Sequence, residues 1–80
     1  MSVKDAVVNR FQELCVQRKI NPNELAASAG VTPSTVYSML NHSRRNISIT
    51  TIKKLCDGLG ITLGEFFSTP EFDALEQEIK

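Results

Sequence analysis

Eighty residues, 41% of them hydrophobic, make one domain with a single modest core and leave no room for a second domain or a deep catalytic cavity. Nine basic and nine acidic side chains cancel to a net charge of zero, and the three prolines and four glycines are scattered singly, so neither a low-complexity nor a disordered chain fits. Lys4 and Asp5 interrupt the apolar stretch near the N-terminus, and nowhere do enough apolar residues run together to span a bilayer. The expected protein is soluble and cytoplasmic, with no membrane partner.

The first element, about residues 3–18, repeats Val7, Phe11, Leu14 and Cys15 on one helical face. Asn21-Pro22 starts a second, about 22–29, because proline at the first helical position gives up an N–H that would be unsatisfied there anyway. Asn23-Glu24 follows, so a carboxylate stands at the third position of a capping box. Leu25, Ala26 and Ala29 face inward, and Gly30 ends the segment. Thr32-Pro33 starts a third helix, about 33–40, with Val36 and either Met39 or Leu40 inward. Ser48 caps a fourth, whose Ile52, Leu55, Cys56 and Leu59 form an i, i+3, i+4, i+7 stripe that Gly60 terminates. Thr62-Leu63-Gly64-Glu65 has the form of another capping box and opens a short fifth helix, about 63–67, carrying Leu63, Phe66 and Phe67. Thr69-Pro70 opens a sixth, about 70–79, with Phe72, Leu75 and Ile79 on one face.

No strand-like alternation occurs, so the predicted fold is all-α: a compact bundle of about five short helices plus a C-terminal one. Residues 1–68 form the main unit. Residues 69–80 form an amphipathic acidic helix, packed either on the domain's own core or at a dimer interface.

Charge is divided unevenly along this chain. Residues 1–54 hold eight basic side chains (Lys4, Arg10, Arg18, Lys19, Arg44, Arg45, Lys53, Lys54) against three acidic ones, and residues 55–80 hold one basic against six acidic. One end can meet phosphate while the other faces away, although an ordinary solvated surface with an acidic last helix fits the same numbers. Cys15 and Cys56 each lie inside an apolar periodic segment and read as buried small hydrophobes. With His42 they lack a fourth donor and any C-x-x-C or H-x-x-x-H spacing, so no metal is expected. GLGITLG (58–64) misses the dinucleotide-loop spacing by one and follows no strand; it reads as a helix–helix turn. No general acid–base pair, triad or phosphate loop is present, so neither an enzyme nor a cofactor is expected.

Helices 22–29 and 33–40 are joined by a few residues around Gly30, and the small Ala26 and Ala29 let them approach at a steep angle, which is helix-turn-helix geometry. The segment NPNELAASAGVTPSTVYSML resembles the Cro/C1-type (XRE) helix-turn-helix family: E-L-A, then Gly-Val, a capping Thr, then S-T and an aliphatic residue. Leu14 and Ile20 before it and LCDGLGITLGEFF (55–67) after it resemble that family's flanking helices in order and spacing, so the likeness covers roughly residues 7–67. It implies a repressor-like prokaryotic or phage transcriptional regulator that binds double-stranded DNA as a homodimer near the bacterial nucleoid. Helix 33–40 would read base edges through Thr32, Pro33, Ser34, Tyr37 and Ser38, with Thr35 near the backbone. Asn41, Arg44 and Arg45 would touch phosphate, as would the start of helix 22–29 through its N–H groups and Asn23.

Two departures from the family pattern bear on this reading. Pro22 stands where the family commonly has Gln, and apolar Cys15 and Leu40 stand where many members pair Arg with Glu; exchanging both partners together leaves no orphan charge. The face of helix 33–40 also lacks Arg, Gln or Asn for a bidentate base contact, so specificity would rest on hydroxyls, Tyr37, Asn41, His42 and DNA shape. Tyr37 packing over the neighbouring loop, and Arg44 and Arg45 as plain solvated charge, remain open. So does a protein-interaction module, such as an antitoxin-like partner, that keeps the fold and uses the acidic end.

Overall fold

The structure, a computed structural model, describes residues 2–41 and 47–79 and consists of six helices in chain order. They are α1 (Val3–Arg18), α2 (Pro22–Ala29), α3 (Pro33–Leu40), α4 (Ile49–Leu59), α5 (Leu63–Phe67) and α6 (Pro70–Asp73). The first five run where the sequence places them. Ser2, Asn21 and Thr62 each complete a reciprocal capping box with the residue three positions on. Gly30 and Gly60 take left-handed φ values of 69° and 72°, which close α2 and α4 at no steric cost. Lys19 does the same for α1 at φ 56°.

One core joins the helices. Val7, Phe11 and Leu14 of α1 meet Leu25 and Ala26 of α2, Val36 and Met39 of α3, and Ile52, Leu55, Cys56 and Leu59 of α4. Met39 is the inward residue at the end of α3, and Leu40 is half-buried. The buried arc of α1 is wider than its predicted stripe, because Ala6 and Val8 are also enclosed. All four phenylalanines cluster. The Phe11 and Phe66 ring centroids lie 4.4 Å apart, and Phe72 sits 4.9 Å from Phe67 and 5.9 Å from Phe66, spacings at which tilted and edge-on rings attract.

The sixth helix is shorter than predicted: it ends at Asp73 instead of continuing to 79. Phe72 is packed and Leu75 half-buried, but Ile79 is 89% exposed. Glu71 and Asp73 suit the positive N-terminal end of a helix, whereas Glu76 and Glu78 would face its negative C-terminal end with no basic residue among 74–79 to offset them. Asp73 and Glu76, three apart, would repel on one face. A short helix held by one aromatic side chain does not outlast those terms.

Long-range caps tie the bundle together. The helices α3, α4 and α5 carry no basic residue in their last turns, and α1 supplies the missing cations. The Lys4 ammonium donates to the carbonyl of Asn41 at the end of α3. Arg18 Nη1 donates to the carbonyl of Leu59, the last residue of α4, at 2.5 Å. Arg10 Nε donates to the carbonyl of Phe66 at 2.9 Å and its Nη2 to that of Glu65 at 3.2 Å, at the end of α5. Three of the basic residues assigned from the sequence to a phosphate-facing half are therefore spent on helix carbonyls inside the domain.

Gly58 lies within α4 and does not terminate it. A Cβ built there would stand 2.8 Å from Ala29 N and from Ser28 C, that is, inside the backbone of α2. The helix gives up the roughly 1 kcal/mol that Ala would contribute over Gly so that α2 can rest directly on it. Gly58→Ala is expected to lower stability by about 1–3 kcal/mol despite that propensity gain. Gly64→Ala is the matched control, since its nearest neighbour would be Thr62 Oγ1 at 3.7 Å, and it should be neutral or slightly stabilising. Urea unfolding of both variants checks the contrast, and equal midpoints would remove the close-approach explanation.

Candidate nucleic-acid interface

The turn between α2 and α3 is built from backbone bonds. Gly30 N donates to Ala27 O at 3.3 Å and Val31 N to Ala26 O at 3.1 Å, while the half-buried Val31 packs against the core. Thr32 follows with extended backbone and caps α3, its Oγ1 accepting from Thr35 N at 3.4 Å. Pro33 fills the first helical position. Because Val36 and Met39 point inward, every other side chain from Thr32 to Ser38 is exposed, Tyr37 to 50%.

The structure brings Thr32, Pro33, Ser34, Thr35, Tyr37 and Ser38 onto one solvent-facing surface. At its head, Thr32 Oγ1 lies 3.1 Å from Ser34 Oγ and 2.9 Å from Thr35 Oγ1, a knot of three hydroxyls that can donate or accept as a partner requires. No acidic residue stands in the first turn of α3, so its positive end is not neutralised. Asn41 is exposed just past the helix, with its carbonyl already held by Lys4. Arg44 and Arg45, with His42, lie outside the described residues.

The start of α2 is less suited to an anion than the sequence implies. Pro22 has no N–H, Glu24 N is bonded to Asn21 Oδ1 at 2.8 Å, and the Glu24 carboxylate accepts from Asn21 N at 3.1 Å. That leaves the Asn23 N–H in the first turn, beside a negative charge, although the Asn23 side chain itself is exposed. Sequence reasoning listed several N–H donors here because it weighed proline and the capping box as helix signals and not as consumers of donors.

Cys15 and Leu40, the two apolar replacements, line one groove of about 200 Å³ together with Phe11, Val16, Pro22 and Leu25. Cys15 is half-buried instead of enclosed, and Cys56 is fully buried; both are free thiols. Burial pushes the Cys15 thiol above its usual range. Burial also raises Cys56, reinforced by the Asp57 carboxylate and partly opposed by Lys53 and Arg10. Among the described residues no group of three or more His, Cys, Asp and Glu is placed to hold a metal ion, and no helix is long and apolar enough to cross a membrane.

The chain matches the Cro/C1-type HTH DNA-binding domain family over residues 10–71. It is 46% identical over 63 residues to control protein C.MunI of Mycoplasma sp, a match covering 79% of this chain and 85% of that protein. Its fold is similar to the crystal structure of the prophage Lp1 protein 11, with a TM-score of 0.81 at 32% identity, covering 92% of this chain and 97% of that one.

The two thiols should be chemically distinguishable. A thiolate is the reactive form, so a raised pKa slows alkylation at pH 7, and burial slows it further. In the native protein a maleimide should label Cys15 more slowly than a free thiol and leave Cys56 unlabelled until the chain unfolds. Mass spectrometry of a labelling time course with and without urea reads this directly, and equal native rates at the two sites would contradict the burial difference.

Proposed function

Because the chain belongs to the Cro/C1-type helix-turn-helix DNA-binding family, it is a DNA-binding transcriptional regulator of the prokaryotic or phage kind, and we propose that α3 reads its operator in the major groove. The observation that carries this reading is the exposed polar face of α3, headed by three hydroxyls at a helix N-terminus without an acidic residue. Ser34, Tyr37 and Ser38 reach base edges, Thr32 and Pro33 approach from the head of the helix, and Thr35 stands near the sugar–phosphate backbone. Asn41, Arg44, Arg45 and Asn23 hold phosphate. The regulator works in the cytoplasm as a homodimer on an inverted repeat, with half-sites about 34–36 Å apart, one helical turn. Its likeness to a control protein supports the regulatory role.

Selection of bound sequences from random duplex DNA should enrich a palindrome. On that operator Arg44→Ala/Arg45→Ala should weaken binding to specific and random DNA alike and lower the salt slope by about one ion per charge removed. Ser34→Ala or Ser38→Ala should instead change preference among operators, by about 1 kcal/mol or slightly more. Salt titrations of wild type and the double variant that superimpose on both DNAs would mean that this face does not meet DNA. An interaction module that uses the acidic end, where Ile79 is exposed between Glu78 and Lys80, would then take its place.

A further inference from the structure

Lys4 is the one charged side chain buried among the described residues, at 5% exposure. Its position is electrostatically unfavourable within its own helix: it sits in the first turn of α1, where the macrodipole is positive and a cation is disfavoured. The compensation comes from α3, whose C-terminal end is negative and to whose Asn41 carbonyl the ammonium donates.

The end of α3 also differs from the other long helices. Lys19, Gly30 and Gly60 close α1, α2 and α4 in the left-handed conformation, each turning its N–H back onto two carbonyls. Asn41 is extended, with φ −74° and ψ 119°, and turns its N–H onto Ser38 O. An extended exit makes neither of the left-handed closures seen at the other three ends. Here the Asn41 carbonyl accepts from a charge at the other end of the domain.

We propose that Lys4 is a positioning residue for DNA recognition, fixing the far end of α3 against α1 so that Ser34, Tyr37 and Ser38 present a single orientation to the bases. This deepens the assignment of α3 as the reading helix and rests on it. The leverage follows from size. An eight-residue helix is about 12 Å long, and α3 is anchored in the core through Val36 and Met39, with Leu40 half-buried. A charge-assisted bond to the carbonyl of Asn41, the residue that follows its last turn, therefore decides how far it can pivot about those anchors. A pivot at that end moves the reading face, and base contacts tolerate less displacement than phosphate contacts do.

Lys4→Met keeps the buried aliphatic stem and removes the charge; Lys4→Arg keeps a cationic donor. With wild type and both variants, affinity is measured at fixed salt for the selected operator and for random duplex DNA, and amide spectra are recorded without DNA. Loss of one charge-assisted hydrogen bond predicts an operator affinity about tenfold weaker in Lys4→Met, with binding to random DNA changed less than about twofold, and substantial recovery in Lys4→Arg. In the DNA-free spectra, the amides of Thr35 to Asn41 should shift in Lys4→Met while those of α2 and α5 hold. Equal losses on operator and random DNA would assign Lys4 to phosphate and overturn the proposal. Unmoved α3 amides would overturn it as well. If Lys4→Met does not fold, Lys4→Arg carries the test through the same two readouts, and unchanged α3 amides together with full loss of operator binding would then count against it. Failure of wild type to enrich any operator would sink the DNA-reading assignment of α3 while leaving the spectral arm to decide whether Lys4 holds the helix.

Discussion

Three helix C-termini of this domain end on cations carried by a single helix. At about 100° per residue, Lys4 and Arg18 project from α1 within roughly 40° of each other, with Arg10 turned further round. The first two accordingly cap α3 and α4, and the third caps α5. Each cation bonds a carbonyl at a helix C-terminus and offsets the negative end of a macrodipole. Charge-assisted bonds of this kind stabilise by about 1.5–3 kcal/mol where they are partly screened from water. The Arg10 bonds are further supported by an ion pair to Glu13 at 2.8 Å and by the position of the guanidinium over the Phe66 ring, 5.9 Å from its centroid. The first helix thus fixes the relative placement of three others through their ends as well as through the core.

The second constraint is steric. With Gly58 admitting the backbone of α2 at Ser28 and Ala29, α2 can lie against α4 more closely than side-chain packing allows, and the fully buried Ala26 extends that approach. The placement of α2 in turn sets the direction of α3, because the turn at Gly30 and Val31 is short and hydrogen-bonded. The direction in which α3 presents its face therefore depends on a contact elsewhere in the molecule, the missing Cβ beneath α2.

Much of this architecture was legible in the sequence because helix boundaries are local physics. A Ser, Thr or Asn cap, a proline at the first position and a glycine past the end act within four residues; five helices begin at such caps, and α2 and α4 end at such glycines. The exposed residues from Thr32 to Ser38 were equally legible, since they are what remains once Val36 turns inward. The role of α1 was not, because its capping bonds span 37, 41, 55 and 56 positions and a lysine that caps a distant helix looks in sequence like any solvated charge. Gly58 was hidden for the same reason: in sequence it reads as part of the turn GLGITLG, whereas it lies within α4, and only the path of α2 shows why nothing larger fits. The sixth helix failed differently. Its apolar spacing over Phe72, Leu75 and Ile79 is real, but periodicity does not report that the acidic residues beyond Asp73 oppose the helix end.

The internal use of Lys4, Arg10 and Arg18 changes the electrostatic basis of recognition. An excess of basic residues in the first two thirds of the chain suggests a strongly cationic face, yet those three are committed to carbonyls, and Lys53 is paired with Asp57 one helical turn away. Lys19 and Lys54 are the described basic side chains left outside such bonds, so among the described residues few cations are free to pair directly with phosphate. Counterion release scales with the number of phosphates neutralised, and a domain with few such contacts gains little affinity for arbitrary DNA. On the proposed reading, more then rests on short-range terms: the hydroxyls at the head of α3, the positive N-terminal end of that helix, and the fit of its face to a particular groove. On the proposed reading of the operator by α3, the rigidity of that helix is itself a determinant of specificity, because hydroxyl contacts are short and directional and a helix free to pivot would trade them for contacts that every sequence offers.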